Sequence, residues 1–92
     1  MTTAPTRAGD AWILLFASIH HVLAAEQALK QRALWCDLIP TPRDLHSDCG
    51  MVLTFRPDDW PTARAAIDGL STPRPRRFAV TAAGPRELPW EN

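Results

Sequence analysis

The sequence predicts an α+β domain, because four short apolar segments alternate with two amphipathic segments in the order β-α-β-β-α-β. This order is the ferredoxin-like pattern, in which two helices pack on one face of a four-stranded antiparallel sheet. The chain has 92 residues, which suits one domain, since two separate cores would each be too small to fold alone. We expect a mobile N-terminal arm over residues 1–9, the domain over 10–83 and a C-terminal tail over 84–92.

The first half of the chain predicts a strand, a helix and a second strand. Residues 11–16 form a continuous apolar run, which is typical of a central strand buried on both faces. Ser18 is a suitable N-cap for a helix over residues 19–32. The inward face of this helix is expected to carry Ile19, Val22, Leu23, Leu29 and Ala33. Residues 35–39 form the second strand, which Pro40 ends.

The second half predicts a long loop, a strand, a helix and a final strand. The loop covers residues 40–50, which contain two prolines and a glycine. Residues 51–56 resume a strand, and either Asp58 or Asp59 caps the second helix. The inward stripe of that helix is expected to be Trp60, Ala63, Ile67 and Leu70. Residues 77–81 form the fourth strand.

Charge and composition exclude several functional classes. Lysine plus arginine and aspartate plus glutamate both number 10, so the net charge is zero, which argues against binding of nucleic acid or anionic lipid through bulk charge. The longest apolar run covers only residues 11–17, whereas a membrane-spanning helix needs roughly 20 apolar residues. Two cysteines are too few for a disulfide scaffold, and no clear signal peptide begins the chain, so we expect a cytoplasmic location.

The predicted topology brings Cys49 close to the start of the first helix. A right-handed crossover makes the first two strands parallel, so the loop between strands 2 and 3 lies at the same end as Ser18 and His20. The N-terminus of a helix carries about half a positive charge and exposed N–H donors. In such surroundings the pKa of a thiol falls from about 8.5 toward ~3.5–7.5. We therefore expect chemistry at this end of the molecule.

Other loop residues would modify the environment of this thiol. Arg43 and His46 add positive charge or hydrogen-bond donors, whereas Asp48 opposes them. Gly50 permits a backbone conformation that keeps the sulfur accessible.

Four short segments follow one another in the first half of the chain: Ser18-Ile-His20, Leu23-Ala-Ala-Glu26, Leu38-Ile-Pro-Thr-Pro-Arg43 and Ser47-Asp-Cys-Gly50. Together they resemble the DUF3343 family, whose members are small bacterial domains described as selenium/sulfur carrier-like proteins. The resemblance runs in order from about Ile13 to Phe55. The chain departs from the family pattern at Ile19, at residues 44–46 and in the arginine- and proline-rich stretch over residues 72–77.

The resemblance implies a thiol-based carrier that holds sulfur or selenium on Cys49 as a persulfide or selenopersulfide. It implies a desulfurase-like donor enzyme and an acceptor protein as partners, and a carrier of this kind does no net catalysis alone. We expect no cofactor, and the sequence has no C-x-x-C or H-x-x-x-H motif that would indicate a metal site. The residues expected to support Cys49 are Ser18, His20, Arg43, Ser47 and Gly50. A homodimer is left open.

Several of these residues also have simpler structural interpretations. Cys36 lies on a predicted strand and is expected to be a buried, inert thiol, although a disulfide with Cys49 is left open. His20 either positions the cargo atom or simply fills the first helical turn. Arg43 either binds an anion or ties the loop to Glu26 or Asp44.

Two alternatives to a carrier remain at this point. The first is a non-catalytic ferredoxin-like interaction module that docks a partner through the edge of strand 2 or the open sheet face. The second, weaker alternative is a metal chaperone using Cys49, His20 and His46, a set without paired cysteines. The arginines between residues 74 and 77 could contact RNA or an acidic partner, but such clusters usually form a solvated edge.

Overall fold

The computed structural model describes residues 11–45 and 50–90. The elements are β1 (Trp12–Leu15), α1 (Ile19–Gln31), β2 (Cys36–Pro40), β3 (Met51–Phe55), a short 3₁₀ turn (Pro57–Asp59), α2 (Trp60–Asp68), β4 (Arg76–Thr81) and β5 (Gly84–Leu88). All six predicted elements are present, and the boundaries predicted for the four strands and for α1 agree with the structure to within one residue.

The strands form one antiparallel sheet in the order β2-β3-β1-β4-β5. The central strand β1 is buried on both faces, since its neighbouring residues Ile13 and Leu14 both lie in hydrophobic clusters. The fold class is thus α+β, and the order of the first four strands is compatible with the ferredoxin-like pattern.

The prediction of a four-stranded sheet is wrong, because residues 84–88, expected in a C-terminal tail, form β5 and pair with β4 along their whole length. The turn between them is closed by the Thr81 hydroxyl, which donates to the Gly84 carbonyl oxygen (2.6 Å) and accepts from the Ala83 N–H (3.2 Å). The sequence prediction missed this strand because Pro85 and two charged residues interrupt the apolar alternation by which strands are recognised. The predicted arm over residues 1–9 lies outside the described residues.

Both helices pack on one face of the sheet, where most of the core lies. The predicted inward stripe of α2 is confirmed for Trp60, Ala63 and Ile67, which are buried, whereas Leu70 lies beyond the helix and is partly buried. The predicted stripe of α1 is partly wrong. Ile19 and Leu23 are 38% and 42% exposed, and Ala33 lies beyond the helix. The buried stripe is Val22, Ala25, Ala28 and Leu29, because the small alanines allow the helix to approach the sheet closely.

The opposite face of the sheet is not open. Four buried residues form a second-face cluster on β1, β3 and β4, namely Ile13, Leu15, Val52 and Phe78. Three partly buried residues pack against this cluster, namely Ile39, Leu45 and Val80. Leu45 belongs to the loop between β2 and β3, so this loop contacts the face that the helices leave uncovered.

Neither α1 nor α2 is long and apolar enough to cross a membrane, and the described part of the chain contains no other helix that could.

Candidate functional site

The loop between β2 and β3 leaves and re-enters the sheet at adjacent points. The Thr41 N–H donates to the Gly50 carbonyl oxygen (3.0 Å), which continues the pairing of the two strands. Gly50 has a φ of +77°, a backbone conformation that glycine adopts without strain. Among the described residues, apart from the chain neighbour Met51, no atom lies within 4 Å of the position of a Cβ there, so conformation rather than space favours glycine. The predicted site residues Cys49 and Ser47 lie outside the described residues.

A tight turn forms the first part of this loop. The Leu45 N–H donates to the Pro42 carbonyl oxygen (3.0 Å), which leaves Arg43 and Asp44 exposed in the middle of the turn. One of the partners considered for Arg43 is engaged elsewhere, since Glu26 pairs with Lys30 at 3.2 Å. Arg43 is thus a solvent-facing cation at the tip of the turn.

The first turn of α1 has backbone N–H donors and contains no acidic side chain. Ser18 is the N-cap, as predicted, and its hydroxyl oxygen accepts from the His21 N–H at 3.4 Å. No carboxylate of the first turn offsets the positive end of the helix dipole. His20 is exposed, whereas His21 is half-buried, and its Nδ1 is buried and has no hydrogen-bond partner among the described residues.

Sheet topology places the start of α1 and the end of the loop at the same end of the molecule. β1 and β3 are antiparallel, with Leu14 opposite Leu53. β1 therefore ends, at Leu15, on the side of the sheet where β3 begins, at Met51. The N-cap Ser18 follows β1 after two residues, so the start of α1 and the start of β3 lie at the same end of the sheet.

Cys36 lies at the other end of the β2–β3 pair, opposite Phe55. Its thiol is free and half-buried, with its Sγ 3.9 Å from the Glu26 carbonyl oxygen. Burial raises the pKa of Cys36 above its ordinary value, and the nearby negative charge of Glu26 raises it further. These surroundings favour the neutral, unreactive thiol predicted for this position.

The three arginines between residues 74 and 77 make contacts within the molecule. Arg74 pairs with Asp68 at 3.3 Å, and Arg76 donates two hydrogen bonds to Glu87, at 3.0 and 2.8 Å. The expectation of a solvated edge therefore holds for Arg74 and Arg76, which are exposed, but fails for Arg77, which is buried.

The sequence analysis expected Arg77 at a solvated edge, but the structure places its guanidinium against two aromatic rings. Its guanidinium carbon lies 4.5 Å from the ring centre of Trp12 and 4.1 Å from that of Trp60, and it donates to the Pro89 carbonyl oxygen. Burial lowers the pKa of Arg77. The missed signal is the alternation of β4, which turns Arg77 inward when Arg76 faces solvent.

The described residues contain no group of three or more histidine, cysteine, aspartate or glutamate side chains that could hold a metal ion. His46 and Cys49 of the metal-chaperone alternative lie outside these residues.

Comparison with known proteins identifies a family. A family model described as "Putative Se/S carrier protein-like" matches residues 11–73, a segment that runs from β1 through α2 and includes the whole β2–β3 loop. Neither the curated proteins nor the solved structures contain a match. Because the matched segment is more than half of the chain, the protein belongs to the Se/S carrier protein-like family.

Proposed function

We propose that the protein carries sulfane sulfur or selenium on Cys49, as a persulfide or selenopersulfide, from a donor enzyme to an acceptor protein. The observation that supports this most directly is the family match, which spans the loop from Thr41 to Gly50 and therefore includes Cys49. Of the two cysteines, Cys36 is the poorer candidate, since its pKa is raised by burial.

The transfer needs no oxidant. The Cys49 thiolate attacks the terminal sulfur of a persulfide on the donor enzyme, a new S–S bond forms on Cys49, and the donor cysteine leaves as a thiolate. The transferred sulfur keeps its oxidation state throughout. Delivery is the same step with the roles exchanged, because an acceptor thiolate attacks the outer sulfur of Cys49 and Cys49 leaves as a thiolate.

The first turn of α1 is suited to support the anions in this exchange. A persulfide is negatively charged at neutral pH, and the first turn adds no negative charge to the positive end of the helix dipole. His20 is exposed on this turn, and the backbone of Gly50 is exposed at the start of β3. Together these features favour an anionic sulfur at this end of the molecule.

The direct test is sulfur loading followed by mass measurement. The purified protein is incubated with a cysteine or selenocysteine desulfurase and its amino-acid substrate, and its intact mass is read before and after reduction. We expect wild type and Cys36→Ser to gain one sulfur or selenium atom that reductant removes. We expect Cys49→Ser to gain none.

Cys36→Ser is the matched control, because Cys36 is the other cysteine of the chain and lies at the opposite end of the β2–β3 pair. Equal loading of both variants, or no loading of a folded wild-type protein, would overturn the proposed function.

The interaction-module alternative fits the described surfaces less well. The Leu38 N–H of edge strand β2 donates to the Asp37 carboxylate (2.9 Å), and Pro40 has no N–H, so little of this edge is available to pair with another strand. The face opposite the helices is occupied by the second-face cluster and the residues that pack on it. We therefore rank the carrier first.

A further inference from the structure

We propose that Arg64 and Arg86 bind a small oxyanion of the phosphate or sulfate type beside the buried Arg77. These three arginines form what we call the α2–β5 surface, because they lie where α2 borders β4 and β5. The site involves neither cysteine, so it goes beyond the proposed carrier function and does not depend on it.

Sheet register places Arg86 on the face of the sheet that α2 covers. Arg77 defines that face, because its guanidinium carbon lies 4.1 Å from the ring centre of Trp60 on α2. Residues two apart on a strand share a face, so Ala79 faces the same side as Arg77. Ala79 pairs with Arg86 of β5. Arg86 is exposed and therefore lies on the same side of the sheet as Arg77, on the neighbouring strand.

Arg64 lies on the flank of α2 that faces these two strands. Burial lowers the pKa of Arg77, and the nearby charge of Arg64 lowers it further, so the two guanidinium groups are close together. Asp68 follows Arg64 by one turn on the same flank. It accepts from the Trp90 indole N–H at 3.1 Å, and Trp90 follows β5, which confirms that this flank is the one on the side of β5.

Carboxylates of the described residues do not neutralise the two outer arginines of this surface. Asp68 is paired with Arg74 at 3.3 Å, and Glu87, the neighbour of Arg86 on β5, faces the opposite side of the sheet. Within residues 11–45 and 50–90, Arg64 and Arg86 form no salt bridge. The α2–β5 surface thus carries an excess of positive charge, although the net charge of the chain is zero.

The same region contains a hydrogen-bond donor that lacks an acceptor. Trp60 is only 5% exposed, and its indole Nε1 is buried with no acceptor in the part of the chain that the structure describes. Neighbouring cations repel each other, and an unsatisfied buried donor also costs stability. Such local costs are typical of functional sites. Guanidinium groups bind oxyanions through parallel N–H···O bonds, so an oxyanion is the ligand that fits this surface.

The test is a titration with inorganic phosphate, followed by NMR of the arginine Nε–H and tryptophan indole N–H signals. Chloride at the same ionic strength corrects for screening. We expect a saturable shift of the Arg64 and Arg86 signals. Arg64→Gln and Arg86→Gln should each raise the dissociation constant by about tenfold, the effect of losing a charge-assisted hydrogen bond. Sulfate should give the same pattern as phosphate.

Arg32→Gln is the matched control, because Arg32 is an exposed arginine at the C-cap of α1 and does not belong to the α2–β5 surface. It should bind phosphate as wild type does. Shifts that do not saturate, or equal dissociation constants in all three variants and wild type, would indicate an adventitious ion only and would overturn the proposal.

Thermal melts separate a binding role of Arg64 from a structural role. In dilute buffer without phosphate, Arg64→Gln should melt at or above the temperature of wild type, because the substitution removes the repulsion of Arg77. Added phosphate should raise the melting temperature of wild type and of Arg32→Gln more than that of Arg64→Gln. The comparison between variants is needed because phosphate also stabilises proteins in general. An Arg64→Gln protein that melts clearly below wild type without phosphate, or gains as much from phosphate, would overturn the proposal.

Discussion

Substitutions of Ser18 separate the stability of α1 from the proposed effect of its N-terminus on Cys49. The Ser18 hydroxyl accepts from the His21 N–H at 3.4 Å, which is long for a hydrogen bond. We therefore expect Ser18→Ala to cost about 0.5–1 kcal/mol, the lower part of the range for N-cap residues. In a domain of this size, such a loss lowers the melting temperature by about 2–8 °C. Ser18→Asp retains a cap acceptor and adds a carboxylate at the positive end of the dipole, so its stability should equal or exceed that of wild type.

The two variants should affect Cys49 in the opposite order. A carboxylate beside the α1 N-terminus opposes a nearby thiolate, because like charges repel. Ser18→Asp should therefore move the midpoint of Cys49 alkylation to higher pH and slow the reaction at neutral pH, although the fold is stable. Ser18→Ala adds no charge and should change the midpoint less.

Circular dichroism melts and pH-dependent alkylation with iodoacetamide measure the two effects in the same samples. A folded Ser18→Asp protein whose Cys49 midpoint equals that of wild type would refute the action of the helix terminus on Cys49. A Ser18→Ala melting curve that coincides with that of wild type would refute the stabilising role of the cap.

Three further predictions concern residues away from the loop. Because burial raises the pKa of Cys36, its alkylation near pH 7.5 should be slower than that of free cysteine and should accelerate only at alkaline pH; an equal rate by peptide mass would contradict this. Arg77→Ala removes two ring contacts and a hydrogen bond and should lower the free energy of unfolding in urea by about 2–4 kcal/mol. Arg74→Ala, at an exposed pair, should cost less than about 1 kcal/mol, and similar losses in both variants would argue against the buried role of Arg77. The hydrogen bonds from Arg76 lower the pKa of Glu87, so this pair stabilises the fold above the ordinary carboxyl pKa of about 4.3 and loses its effect as pH falls through the lowered value. The melting temperatures of wild type and Glu87→Gln should thus differ at pH 7 and converge in acid, and a constant difference would be inconsistent with this linkage.

Local signals in the sequence were sufficient to predict most of the helices and strands. The continuous apolar run around Ile13 and Leu14 identified β1 as a central strand, and both residues are buried. Ser18 was recognisable as an N-cap because its side chain can accept from the first turn. The glycine before Met51 was recognisable as a point of unusual backbone conformation. Each of these features depends on residues close together in the chain.

The features that were missed depend on contacts between distant segments. Ile19 and Leu23 are apolar at helical spacing, but the rotation of α1 on the sheet leaves them exposed, and that rotation is set by packing. Arg77 is buried only because two aromatic rings from β1 and α2 enclose its guanidinium. The contact of Leu45 with the second face requires three strands from different parts of the chain. The alternation of β4 indicates that Arg77 points inward, but no local pattern reports which distant residues any of these side chains contact.

The residues beyond the family match complete the fold around the candidate site. β4 provides one of the two neighbours of central strand β1, through four residue pairs from Leu15↔Arg76 to Trp12↔Ala79. Trp90 packs edge-on against Trp60 at 4.9 Å and donates to Asp68 at 3.1 Å, so it closes the end of α2. Phe78 belongs to the cluster on which Leu45 packs. The matched residues thus include Cys49, whereas the unmatched strand β4 contributes to the cluster that Leu45 of the β2–β3 loop contacts. Substitutions in β4 can therefore change the support of this loop at Leu45 without changing any residue of the loop.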